Sequence, residues 1–197
     1  SKGAIVSGIF NLSKNDLIEI GVGQLGEHDY SGCGGTFVAN QIEPKKYELI
    51  IAAGGAGGFY TINQLSNAST NQNGNPSFSI KENNEPGKGG KAHDSGGGAG
   101  YAENGETFEQ ECLPAKCFKS GLKGGLNSGI SGGFGGGGAA KWCGGGGGYS
   151  GGHGGNANFG GGGGSFINTK CVRNSEIKIG SNGPGKVIIT KISKRIN

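Results

Sequence analysis

The sequence predicts an all-β fold, an antiparallel β-sandwich carrying a glycine-rich insert. Strand-like patterns occupy both ends of the chain, and glycine fills the middle. Glycine supplies 48 of the 197 residues against only 5 prolines, and no G-X-Y register is sustained, which excludes collagen. The hydrophobic share of 32% is too low for one ordinary core of this length, yet it is concentrated at the two ends. That segregation predicts a conventional β module, residues 1–53 with 165–197, and a glycine-built insert with polar loops, residues 54–164.

In chain order, Ala4–Leu12 (AIVSGIFNL) reads as a strand ended by the turn chemistry of Ser13-Lys14-Asn15-Asp16. Leu17–Val22 resumes the pattern, so the two segments are expected to form an antiparallel hairpin. Gly35–Ile42 and Tyr47–Ala53 are the third and fourth strands, joined by a turn at Pro44-Lys45-Lys46. The run Leu49–Ala53 is continuously apolar and predicts a strand buried on both faces. Asn63–Asn75 and Lys81–Asp94 are polar, aperiodic and rich in asparagine, hence surface loops. A short helix is expected near Glu106–Lys119. Ser165–Ile167, Glu176–Ile179 and Lys186–Ile192 return to strands, the last preceded by a turn at Gly183-Pro184-Gly185.

The most biased stretch runs from Gly132 to Gly164 (GGFGGGGAAKWCGGGGGYSGGHGGNANFGGGGG). Ordering its glycines costs on the order of 1–2 kcal/mol each, with no side chain to bury in return. Either it is a flexible linker, or its bare backbones lie side by side as extended three-residue-per-turn strands sharing hydrogen bonds. In the ordered form the bundle core is Gly135, Gly136, Gly137, Gly144, Gly145, Gly146, Gly147, Gly161 and Gly162. Phe134, Trp142, Tyr149 and Phe159, with Phe166, flank the runs and would cap their ends. Cys143, between two runs, is placed to staple the bundle to Cys117 or Cys112.

Charge and motifs exclude several classes. Of the 18 basic residues only Arg173 and Arg195 are arginine, so the RGG chemistry of glycine-rich nucleic-acid binders is absent. No segment is long and apolar enough to span a membrane as a helix. The P-loop signature fails at Gly87-Lys88-Gly89, Gly90-Lys91-Ala92 and Gly185-Lys186-Val187, where no Ser or Thr follows the lysine. His28, His93 and His153 share no metal-ligand spacing. His153 is expected on the surface, and His28-Asp29 beside Glu27 in a solvated loop. No Ser-His-Asp constellation stands out, so neither catalysis, cofactor nor metal is expected. The five cysteines contain no C-x-x-C pair and read as disulfide formers in an oxidising compartment. Cys117–Cys143 is the favoured bond, tying the polar loop to the glycine core. Cys33, Cys112 and Cys171 remain for a second or an intermolecular one. Asn11-Leu12-Ser13 and Asn67-Ala68-Ser69 are N-glycosylation sequons, with Asn67 the better candidate.

Several phrases carry the reading further: Ser7–Leu12 (SGIFNL), Asp16–Glu27 (DLIEIGVGQLGE), Gly34–Gly58, Gly132–Gly152, Gly163–Asn168 (GGSFIN) and Gly183–Thr190 (GPGKVIIT). In this order they closely resemble the glycine-rich extracellular region of the anaplastic lymphoma kinase and leukocyte tyrosine kinase family. The resemblance covers about Gly3 to Ile192. It implies a TNF-like β-sandwich with an inserted bundle of polyglycine-II helices, an extracellular location, and protein recognition without catalysis. Cys117 and Cys143 fall near family positions, whereas the other cysteines match loosely.

The functional expectation is a non-enzymatic, secreted structural or protein-interaction module that self-associates. The chain opens at Ser1, inside the module the resemblance outlines, so an open sheet edge completed by a neighbour's strand is expected. The alternative is a ligand-binding ectodomain fragment of a receptor tyrosine kinase of that family. A glycan-binding coat protein or adhesin is a third reading, resting on surface aromatics.

Overall fold

The computed structural model describes residues 1–180 and 182–192. Among them the chain is all-β, with antiparallel sheets and two single 3-10 turns, Gln64–Ser66 and Phe118–Ser120, as its helical elements. The strands are β1 (Ala4–Ile9), β2 (Leu17–Gly21), β3 (Thr36–Glu43), β4 (Lys46–Ala53), β5 (Leu126–Asn127), β6 (Ile130–Ser131), β7 (Phe166–Ile167) and β8 (Arg173–Ile179). One sheet has the order β2-β3-β4-β7; a second pairs β1 with β8, and β5-β6 is a small ribbon.

The first and last strands therefore complete one another, since Ala4 stands opposite Ile179 and Phe166 opposite Ala52. The expected hairpin of the first two strands is corrected: β1 pairs with β8, and β2 with β3. The turn itself forms. Asp16 donates its backbone N–H to the Ser13 carbonyl at 3.2 Å and its carboxylate accepts the Ser13 N–H at 2.7 Å. It carries the chain from one sheet to the other instead of folding it back, because β8 already occupies the register of β1. The β3–β4 turn is as expected, Pro44 presetting φ and Lys45 adopting a φ of 63°.

Leu49, Ile50 and Ala52 are buried, as a continuous apolar run in a central strand requires. One face of the larger sheet presents Phe37, Ala39, Leu49 and Ala52 to a single core cluster. Its lid comes from the insert, through Phe118 and Leu122. Leu122 takes a left-handed φ of 59° and seats its side chain in the notch that Gly21 leaves by lacking a Cβ. The helix expected over Glu106–Lys119 is absent. Pro114 and the extended pairing of Leu113 with Leu126 interrupt it, and only the turn Phe118–Ser120 is helical.

The insert is ordered by backbone hydrogen bonds that repeat every three residues. Gly144 and Gly147 donate to Tyr30 and Cys33, Gly145 and Gly148 donate to Gly96 and Ala99, and Gly146 donates to Gly161. The carbonyls face a complementary set, with Gly144, Gly145, Gly146 and Gly147 accepting from Gly58, Gly138, Gly152 and Gly55. A second segment repeats the pattern: Gly160 and Gly163 donate to Gly58 and Gly55, Gly161 and Gly164 to His153 and Ser150, and Gly162 to Leu65. Successive amides thus point about a third of a turn apart, and the segment 144–148 is surrounded on all sides by other backbone. A Cβ at Gly146 would run into the Gly55 carbonyl, and one at Gly162 into that of Asn67. Close approach is what these positions demand of glycine.

Three further expectations change. The asparagine-rich segments are woven into this bundle: Ser69 and Asn75 donate to Gly163 and Gly162, and the buried Asn84 amide donates to the Gly151 carbonyl at 2.9 Å. Residues 30–35, expected in the β module, likewise bond into the bundle. Lys186–Ile192, expected as a strand, forms none and pairs with none among the described residues. Residues 193–197 and Ser181 lie outside the described residues.

Candidate interaction surface

Of the expected caps, Tyr149 and Phe159 pack inward, whereas Phe134 and Trp142 stay about two-fifths exposed, at 43% and 41%. Tyr149 stacks on Phe166 with centroids 4.5 Å apart, and on its other side meets Tyr101 at 6.4 Å. Tyr101 continues to Phe118 at 5.4 Å, so a row of rings links the glycine bundle to the sheet core. Phe159, buried, stands edge-on to Phe78 at 6.1 Å. At the surface His28, Tyr30 and Tyr60 stack in sequence, at 4.9 and 5.4 Å, and Tyr60 meets Trp142 edge-on. Tyr30 and Tyr60 come from separate polar contexts, so no periodicity in the sequence could associate them.

His153 is corrected from the surface to the interior, where its exposure is 0%. The bundle needs its backbone there: its N–H donates to the Asn75 carbonyl and its carbonyl accepts from Gly161. Nδ1 accepts the Lys91 N–H at 2.9 Å, while buried Nε2 has no partner among the described residues. Burial, seconded by the Lys91 charge, holds the imidazole pKa below its ordinary value. Glu27, His28 and Asp29 are exposed as expected.

All five cysteines are free thiols, which corrects the expected Cys117–Cys143 bond and leaves Cys33, Cys112 and Cys171 unpaired as well. Each lies in its own environment. Cys117 packs with Ala99 and Ala115 and meets Ser120 Oγ at 3.3 Å, and Cys112 meets Asn127 Oδ1 at 3.4 Å. Cys143, wholly buried, bridges in extended fashion to Gly155. Burial pushes its thiol up to about 11. The stapling that a disulfide was expected to supply falls to the backbone network. Asn11 is exposed in the β1–β2 connection, whereas Asn67 is half-buried with its Oδ1 accepting the Lys2 N–H at 2.8 Å.

Apolar surface gathers where strands end without partners. β2 lies at the end of its sheet, with Leu17 63% and Ile20 41% exposed. In the segment Lys186–Ile192, Ile188, Ile189 and Ile192 are 74%, 65% and 63% exposed. Consecutive residues of a strand face opposite ways, so as a strand this segment would present apolar side chains on both faces. Its neighbour Gly185 donates its N–H to the Gly23 carbonyl at 2.8 Å, which ties the start of the segment to the end of β2.

Among the described residues no helix is long and apolar enough to cross a membrane. No protein-family model matches the chain, and no curated protein matches it.

Proposed function

We propose that this chain is a non-enzymatic, extracellular structural and protein-interaction module that self-associates, a TNF-like β-sandwich held on a polyglycine-II bundle. The three-residue period of the amide bonds from Gly144 to Gly148 supports the polyglycine-II reading, since that helix has three residues per turn. Two antiparallel sheets, with β1 of one lying beside β4 and β7 of the other, support the sandwich. The TNF-like assignment and the extracellular location rest on the family resemblance. Burial of Cys112, Cys117 and Cys143 is consistent with thiols surviving an oxidising environment.

The observation that carries self-association is the coexistence of a bare apolar segment with a strand-like sequence, Lys186–Ile192, and an open apolar sheet edge, β2, in one chain. Exposed edges of this kind add strands from other chains unless they are covered or charged away. A stiff bundle suits such a role because it fixes the edges without spending side chains on its own cohesion. Light scattering on the purified full chain tests the reading: self-association gives a mass above that of one chain, rising with concentration. A stable monomer at micromolar concentration rejects it.

A further inference from the structure

We infer that the segment Lys186–Ile192 of one copy adds as an antiparallel strand to the free edge of β2 in a second copy, with Lys191 placed across from Asp16. This rests on the self-association reading above and specifies its interface. The segment has the marks of a central strand in its sequence: Val187, Ile188 and Ile189 are contiguous and apolar, and Ile188 and Ile189, both bare, take opposite faces once the segment pairs as a strand. None of its backbone groups hydrogen-bonds to another described residue. The edge of β2 away from β3 has no strand beside it among the described residues.

Charge selects the acceptor. The segment carries Lys186 and Lys191, neither in an ion pair among the described residues, while β2 and the turn before it carry Glu19 and Asp16. Placing Lys191 opposite Asp16 sets Ile189 across from Ile18 and Val187 across from Ile20. Three favourable cross-strand pairs then share one face of the sheet.

Register selects a second copy over the same one. The Gly185 N–H bond to Gly23 would continue, within one chain, into a ladder with Val187 opposite Gly21 and Ile189 opposite Glu19. Lys191 would then meet exposed Leu17. That register is one residue away from the matched one: it keeps one apolar pair, Ile188 across from Ile20, but replaces the Ile189–Ile18 pair with Thr190–Ile18 and forfeits the Lys191–Asp16 ion pair. A strand from another molecule is free of the tether and takes the matched register. Exchange of this strand around a ring or along a line generates a closed oligomer or a filament.

Charge reversal provides the test, read by light scattering and sedimentation on the full chain. Asp16→Lys and Lys191→Asp should each raise the dissociation constant about tenfold, and the double variant should recover most of that loss. The Asp16 carboxylate also accepts the Ser13 N–H, a bond lost alike in Asp16→Lys and in the double variant, so recovery of the double variant over Asp16→Lys reports the charge pair. Ile188→Lys with Ile189→Lys should yield a folded monomer. If the wild type oligomerises and is indifferent to these changes, the strand assignment is overturned while self-association stands. A monomeric wild type overturns both.

Discussion

Lys91 donates its backbone N–H to Nδ1 of His153 at 2.9 Å, and the imidazole is wholly buried in the glycine bundle. With Nδ1 accepting, the neutral ring carries its proton on Nε2, and a second proton has to displace the Lys91 bond. Burial and the Lys91 ammonium disfavour the imidazolium, while Glu82 and Glu106, the carboxylates facing the ring, favour it more weakly. The native pKa is therefore below the unfolded value of about 6.5. The unfolded chain binds more protons between the two values, so stability is full above about pH 6.5 and falls as pH drops below it. The melting temperature should decline between pH 7.5 and 5.5, and His153→Asn, which keeps an acceptor near Nδ1, should flatten that decline. An unchanged slope in the variant refutes the assignment.

Replacing Gly146 by Val should collapse the fold, because the segment 144–148 has backbone on every side and a Cβ would strike the Gly55 carbonyl. The expected destabilisation is about 3 kcal/mol or more, the upper end of overpacking. Gly3→Ala is the matched control, its added Cβ lying 3.4 Å from the Gly54 carbonyl, an ordinary contact. Denaturant melts that coincide for wild type and Gly146→Val would show that the bundle tolerates side chains, contrary to its geometry.

The strands were legible where side chains decide them. Thr36–Glu43 and Lys46–Ala53 announce themselves by β-branched and apolar residues, and by a Pro44-Lys45 turn with a fixed φ. The pairing of β1 with β8 was not, because register is set by partners far along the chain. The bundle was half legible: glycine runs marked Gly144–Gly148, but Ser69, Asn75 and Asn84 join it through backbone and amide groups that every polar loop possesses. His153 misled for the same reason, since GGHGG offers no apolar signal for burial and the position is fixed by main-chain bonds to Asn75 and Gly161. The cysteines misled in another way. Their count suggested covalent staples, whereas a network of bonds each netting about 1 kcal/mol takes that role.

Thiol reactivity follows from the same environments. Cys143 is fully buried and its thiol is raised to about 11, so iodoacetamide at pH 8 should leave it unmodified in the native protein. Half-buried Cys171, whose sulfur contacts the Arg173 carbonyl at 3.4 Å, should alkylate first. Peptide mapping after timed alkylation reads both. Equal labelling of Cys143 and Cys171, or a non-reduced peptide joining Cys117 to Cys143, would contradict the arrangement.

Tyr149 and Phe166 are where bundle and sheet grip each other, their rings stacked at 4.5 Å with planes 20° apart. Tyr149 follows the glycine run 144–148, and Phe166 lies in β7, paired opposite Ala52 in β4. The contact thus joins an element held by backbone bonds to one held by side-chain burial. Neither alone forms a complete core, because Phe118 and Leu122 of the insert cover the sheet. Truncating either ring to Ala should cost about 3 kcal/mol, the low end for aromatics because both are partly exposed. The double variant should cost about 1 kcal/mol less than the sum, the coupling of a stacked pair. Hydrogen exchange adds a readout that lost burial alone would not move. With the grip removed, the amides of Gly144–Gly148 should exchange more slowly than those of β3 and β4, whereas in the wild type the two groups open together. Strict additivity with a single shared opening would mean that bundle and sheet are coupled elsewhere.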